Sequence, residues 1–335
     1  MLGYGLMRRY TLTEILAGLA IALAITFPLT IYFLNFHGRL SANHSRWAEF
    51  GSYLAGVYVV PTLAVLVYTT FITRKQFQIQ NEDNLFFKLY DSLQNRISNS
   101  TIVVDDKTYT GYHILKILVK RFYEELYEQS IEIARLLLSN NPENISDIHF
   151  DKIFEAIEES RPEFSLDRQK FIDDINGYPD KNERLKYYIG SRDEESQKLR
   201  KALFSTGSVN FYKIRFDERR ARYIQVVESI SASHGEFLDG YFKDICFLLM
   251  FVAKTFNRAA YINFLKSQLT KYELIIIFYL VAGRDTKLGS MKNLMDFGFM
   301  DELLTIGCQS LMIDCPSDEV MKKEIDYVFT DSTKR

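Results

Sequence analysis

Few residues of this 335-residue chain stand in patterns that carry chemistry. The most conspicuous acid is Glu273, in Thr270-Lys271-Tyr272-Glu273, directly ahead of the uncharged run Leu274 to Gly283. Threonine followed three residues later by glutamate is a capping box. The threonine oxygen accepts an orphan N–H of the first turn, and the carboxylate accepts the N–H of the cap residue. The carboxylate also meets the positive end of the helix. That explains Glu273 structurally, so it reads as a cap and not as a catalyst.

A second concentration is basic. Lys213, Arg215, Arg219, Arg220 and Arg222 fall within ten residues, interrupted by Asp217 and Glu218. Such a run could hold phosphates or lipid head groups, but the interleaved acids cancel its field, and a solvated helix face with intrahelical pairs is expected. The cysteines Cys246, Cys308 and Cys315 are few, odd in number and without metal-ligand spacing, which fits small apolar residues in a reducing compartment. His37, His113, His149 and His234 are scattered, with no paired acid or nucleophile nearby in sequence. Arg39 and His44 form an Arg-x-x-x-x-His string similar in spacing to a motif of helical ribonucleases. It lies in a short loop between two uncharged stretches, which argues against a site there. No phosphate loop, His-Glu-x-x-His or Gly-x-Ser-x-Gly occurs. No catalytic, cofactor-binding or metal-ligating residue is assigned, no small-molecule substrate is evident, and the chain is read as a non-enzyme.

The elements that position these residues begin with those uncharged stretches. No charged side chain lies between Glu14 and Arg39 or between Glu49 and Arg74. About 20 apolar residues in a helix cross a hydrocarbon layer of ~30 Å, and only a helix satisfies its own backbone there. Residues 1–73 are therefore read as a helical hairpin with spans at about 12–34 and 50–72, each holding one tolerated proline, Pro28 and Pro61. Gly51, Ser52, Ala55 and Gly56 form two small-xxx-small pairs, and Gly18 and Ala22 a third, which predicts close helix packing within the hairpin or between copies. Arg8, Arg9, Arg74 and Lys75 flank the hairpin, against Arg39 and Arg46 in its loop, so both ends are expected inside. The first apolar run is longer than that of a cleaved signal peptide.

Residues 74–335 carry 37 basic and 41 acidic residues, a balance that excludes a generic nucleic-acid binder. Six prolines and abundant Leu, Ile, Phe and Tyr predict an all-α cytosolic domain, giving a mainly α chain overall. A helix leaves the span over 73–97, with a stripe at Phe77, Leu85, Phe86, Leu89 and Leu93. A break follows at 99–111, whose only strand-like part is Ile102–Val104. A long helix runs over 111–138. Residues of about 140–210 read as short helices and charged loops, the most variable and mobile part. One helix is expected over 212–233. The uncharged runs 245–253 and 274–283, too short to span, are expected as central helices, apolar on all sides.

Several of these residues also carry a family resemblance. Phe50-Gly51-Ser52-Tyr53-Leu54-Ala55-Gly56, Phe86-Phe87-Lys88-Leu89 after Gln76, Gln78 and Gln80, and Tyr241-Phe242-Lys243 resemble the phage abortive infection proteins of bacteria. So does the run from Leu265 to Leu274, which includes Gln268, Leu269, Tyr272 and Glu273, with Phe278-Tyr279 at its end and Phe297-Gly298-Phe299 beyond. These marks read as structural. At Gly240 the family pattern expects histidine. The resemblance implies a multi-pass protein of the bacterial inner membrane in anti-phage defence, and implies no reaction. The layout is also similar to two-helix effectors encoded beside retron reverse transcriptases.

The expectation is a membrane-anchored effector that impairs the inner membrane after sensing infection. Its partners would be the bilayer, further copies of itself and a defence component such as a reverse transcriptase–nucleic acid complex. The competing expectations are a membrane-tethered enzyme, such as a divergent nuclease, and a scaffold.

Overall fold

The computed structural model describes residues 22–23, 26–34, 44–164, 167–191, 195–284, 290–305 and 317–331. Its packing divides the chain into two units, Met1–Asn81 and Glu82–Arg335.

In the first unit, residues 26–34 are helical (α1), and a long helix α2 (His44–Asn99) begins and continues into the second unit. Tyr32 packs against Phe50 and Tyr53, with ring centroids 4.5 and 5.4 Å apart, and the Tyr53 hydroxyl donates to the Pro28 carbonyl at 3.4 Å. Pro61 sits inside α2 without ending it. An 18-residue window of α2 has a mean hydropathy of 1.8 and no buried residue, so this helix is long and apolar enough to cross a membrane. Of the two expected spans, only this one is seen as a single long apolar helix. The first is described only over 22–23 and 26–34. Gly18, the loop with Arg39, and both flanking arginines Arg8 and Arg9 lie outside the described residues.

The second unit opens with the end of α2, which buries Phe86, Leu93 and Ile97; Leu85, expected on that stripe, is exposed instead. The expected break at 99–111 is a β-hairpin, so the unit is not all-α. Strand β1 (Thr101–Val104) pairs antiparallel with β2 (Lys107–Thr110), Thr101 opposite Thr110 and Val104 opposite Lys107. Asp105 and Asp106 form its two-residue turn at φ 50 and 60. Such a turn needs left-handed residues, and aspartate tolerates that region through side-chain bonds to nearby backbone. Ile102 and Val104 point into the core and Val103 points out, the alternation of a half-buried strand.

Helix α3 (Tyr112–Asn140) ends at a 3₁₀ turn over Pro142–Asn144, and its predicted stripe is buried: Ile114, Leu115, Leu118, Phe122, Leu126 and Ile133. Four helices follow: α4 (Asp147–Ser160), α5 (Arg168–Gly177), α6 (Lys181–Ile189) and α7 (Gln197–Phe211). These are the short helices expected here, and with part of α3 they enclose a core of their own, including Phe150, Ile153, Phe171, Leu185, Leu199 and Leu203. The charges of this stretch are folded in as well. Glu195 is buried and accepts from Arg135 and Arg200. Helix α7 presses on α3 so closely that a side chain at Gly207 would collide with the Ser130 carbonyl.

Helix α8 (Phe216–Val252) joins what sequence separated into two segments, but it is broken at His234, whose φ/ψ of −130 and 19 are not helical. Then come α9 (Arg258–Gln268), α10 (Lys271–Ala282), α11 (Ser290–Asp296), α12 (Asp301–Thr305) and α13 (Asp318–Asp331). The expectation for α10 holds: Glu273 to Ala282 are all buried, as a helix without a polar face requires. The run 245–253 differs. Ile245, Cys246, Leu248, Leu249 and Val252 are buried, while Phe247 and Met250 face outward. A continuous apolar run does not report which side is covered.

The basic cluster also departs from expectation. Arg219 and Arg220 are buried, not solvated. Arg219 donates to both carboxylate oxygens of Glu324 in α13, at 3.0 and 2.6 Å, and to the Ile214 carbonyl. Arg222 donates to Gln129 at 2.8 Å, and Arg215–Glu218 is an intrahelical pair of the kind expected. Glu324 lies 105 residues from Arg219, outside any helical spacing.

Candidate functional site

The densest polar constellation of the second unit surrounds the start of α10. The capping box is present in full. The Glu273 N–H donates to Thr270 Oγ1 at 3.4 Å, and the Thr270 N–H and hydroxyl donate to Glu273 Oε2 at 2.7 and 2.9 Å. The other carboxylate oxygen accepts from the Tyr241 hydroxyl of α8 at 3.5 Å. Nearby, the Tyr90 hydroxyl of α2 donates to Gln268 Oε1 at 3.5 Å, and the Tyr112 hydroxyl at the start of α3 donates to Gln94 Oε1. The Gln94 amide nitrogen is buried without a partner.

The electrostatics follow from burial. Glu273 is fully buried, and this raises its pKa; the Thr270 N–H, the Thr270 hydroxyl and Tyr241 oppose the rise. Burial also raises the phenols of Tyr90, Tyr112 and Tyr241, and the Glu273 charge pushes each further up. No basic side chain among the described residues pairs with Glu273. The carboxyl is closed off from solvent and joins the cap of α10 to Tyr241 of α8.

An open cleft lies beside this joint, about 470 Å³ in volume. Its walls are Arg96 and Ser100 at the end of α2, Thr101 to Val103 of β1, and Ser233, His234, Glu236 and Phe237 at the break in α8. Burial and the Arg121 charge lower the His234 pKa, which keeps the imidazole neutral and able to accept a proton at neutral pH. Arg96 pairs with Asp244 at 2.5 Å, and its guanidinium occupies the space a side chain at Gly240 would take. Glycine at 240 therefore makes room for Arg96. Among the described residues, no group of three His, Cys, Asp or Glu side chains is arranged to hold a metal ion.

The residues singled out from sequence fall into three groups. Tyr241, Gln268 and Glu273 come together in the polar joint. Phe242, Leu269 and Tyr279 are buried: Arg284 lies over the Phe242 ring, and Tyr279 stacks on Phe122 with centroids 4.8 Å apart. Lys243 is exposed, and Tyr272 is half-buried under Lys271. Gly51, Ser52, Ala55 and Gly56 are exposed, and a side chain at Gly51 or Gly56 would meet nothing within 4 Å. Thr26 and Thr69 donate to carbonyls of their own helices. Cys308 and Cys315 lie outside the described residues, and Cys246 is buried in the core. Sequence reasoning missed Tyr90, Gln94, Arg96 and Tyr112. Tyr90 lies 178 residues from Gln268 and Arg96 lies 148 from Asp244, while Tyr112 and Gln94, 18 apart, meet only because the β-hairpin brings α3 back to α2, so none of these pairs shows in helical spacing.

No curated protein and no solved structure matched the chain. A family model matched residues 233–306, which begin at the break in α8 and run through the capped helix α10 to the end of α12. The matched stretch contains the marks at Tyr241–Lys243, Gln268–Glu273 and Phe297–Phe299, while those at Phe50–Gly56 and Phe86–Leu89 lie outside it. Residues 233–306, with Tyr241 and Glu273 at their centre, thus match the family described as "putative phage abortive infection protein".

Proposed function

We propose that this chain is a membrane-anchored effector of bacterial anti-phage defence. In this reading the larger unit senses infection, directly or through a partner, and the apolar N-terminal helices impair the inner membrane. The match of residues 233–306 to the abortive infection family carries the reading. The long uncharged stretch of α2 supports the membrane location, and the basic residues outside the two uncharged stretches favour an orientation with both ends in the cytoplasm. Two helices cannot enclose a pore, so membrane damage requires an assembly of copies. The small-residue pairs Gly51/Ala55 and Ser52/Gly56, exposed among the described residues, suit helix-to-helix contact there.

The test is a potential-sensitive dye followed through phage challenge, with wild type and Gly56→Leu at matched levels in the membrane. Leucine inserts well but holds neighbouring helices apart. Wild-type cells should lose potential as they abort infection, and Gly56→Leu should lose both the depolarisation and the defence. Wild-type cells that defend themselves at full potential would overturn the membrane mechanism.

The second reading is a membrane-tethered enzyme. The cleft beside His234, with Glu236, Ser100 and Ser233 on its walls, is the observation that favours it. Defence that persists without depolarisation and disappears in His234→Ala at full abundance would move it to first place.

A further inference from the structure

Among the described residues of the second unit, three phenylalanines are more than a third exposed, and they gather at one end. These are Phe87 on α2, Phe247 on the last turns of α8, and Phe256 in the corner between α8 and α9, which is 70% exposed. Met250 lies on the same outer stripe of α8, three positions beyond Phe247. The Phe256 N–H donates to Glu82 at 3.2 Å, while Arg96 pairs with Asp244. Helix α8 therefore runs back along α2 toward Glu82, and its exposed apolar end lies beside the first residue of the unit.

Glu82 stands ten positions beyond Ile72, the last residue of the uncharged stretch. However that connection is bent, it reaches at most about 35 Å. The corner is thus tethered close to whatever surface holds the apolar helix. Its charges have the matching sign. Lys243 and Lys254 bracket Phe247 and Met250 on the exposed stripe, and neither pairs with an acid among the described residues. Of the acids at this end, Asp244 is paired with Arg96, while Glu82 and Asp83 keep their charge but are half-buried on the Phe256 N–H and the Tyr261 hydroxyl, and the two lysines are exposed. Exposed aromatics flanked by free lysines suit the boundary between acyl chains and anionic head groups.

We propose that this end of the second unit, with Phe256 at its tip, rests on the anionic lipid surface that holds the apolar stretch of α2. The inference deepens the membrane-effector reading and rests on its membrane location. The face would seat the sensing unit against the bilayer and restrict its orientation there.

The chain's single tryptophan, Trp47, stands just before the uncharged stretch, so the two claims can be tested apart. The full chain is reconstituted in phosphatidylglycerol vesicles with or without lipids brominated along the acyl chain. Wild type reports on Trp47. Trp47→Phe combined with Phe256→Trp reports on the corner, and Trp47→Phe combined with Met250→Trp provides a second probe. The indole at 256 should lose about half its emission in brominated lipid, and Lys243→Glu with Lys254→Glu should restore most of it. Quenching at 47 but at neither 250 nor 256 would overturn the surface contact and leave the membrane anchor standing. An indole at 256 shielded from aqueous acrylamide yet unquenched by brominated lipid would overturn it in favour of a protein neighbour. Absence of quenching at 47 would overturn both.

Discussion

Arg219 near the start of α8 and Glu324 in α13 form a two-point ion pair inside the second unit, with Nε–Oε1 at 3.0 Å and Nη2–Oε2 at 2.6 Å. Both side chains are buried, and the Tyr223 hydroxyl donates to the same carboxylate at 3.1 Å. The pair fixes where α13 lays Met321, Ile325, Val328 and Phe329 on the core.

Removing one member should therefore cost more than removing both. Glu324→Ala leaves a buried guanidinium with two backbone carbonyls as its remaining partners, and should lower stability by about 3–5 kcal/mol. Arg219→Met combined with Glu324→Leu should recover most of that loss. Urea unfolding of the full chain in detergent, read by circular dichroism, measures both; a double variant as unstable as the single would refute the account.

Glu273 makes a pH-dependent contribution of definite sign. Burial raises its folded-state pKa above the ordinary value, so between the two values the folded chain holds a proton that the unfolded chain has lost. Its contribution to stability is then greatest below the ordinary value and falls as pH rises through the raised one. Glu273→Gln removes this slope, so wild type should gain in melting temperature relative to Gln as pH is lowered from neutral toward ~5. Glu273→Ala strips partners from Thr270 and Tyr241 as well as breaking the cap, and should cost about 2 kcal/mol or more. Full abundance of Glu273→Ala with complete loss of defence would instead make the carboxylate a functional group.

The Tyr279 hydroxyl is buried with no hydrogen-bond partner among the described residues, while its ring stacks on Phe122. Tyr279→Phe keeps the stack and removes a desolvated polar group. It should be neutral or stabilising by up to about 1 kcal/mol in thermal melts, with defence retained. A drop in melting temperature would mean that the hydroxyl has a partner after all.

Two glycines should respond oppositely to the same change. At Gly207 a methyl group runs into the Ser130 backbone, which cannot move aside, so Gly207→Ala should destabilise by about 1–3 kcal/mol. At Gly56 the same methyl meets open space, so Gly56→Ala should leave the unfolding midpoint unchanged. Equal effects at the two sites would contradict the packing described.

Sequence alone determined the features that depend on neighbours within a few residues. The charge-free stretch of α2, the 3.6-residue stripe of α3, the wholly apolar α10 and the Thr270–Glu273 capping box are set by local spacing and appear where the residues placed them. Tertiary structure decided what a residue faces. Residues 245–253 read as uniformly apolar, yet only packing left Phe247 and Met250 outside. The arginines after Tyr212 read as a solvated face, yet Glu324, a distant residue with no periodic relation to them, drew Arg219 inside. The small residues of α2 carried the pattern for close packing, while the tightest helix contact arose at Gly207 and Ser130, whose separation hides it from any local pattern. The polar joint follows the same rule: Glu273 is legible as a cap, but Tyr241, Gln268, Tyr90 and Gln94 become its surroundings only when α2, α8 and α9 converge on the start of α10.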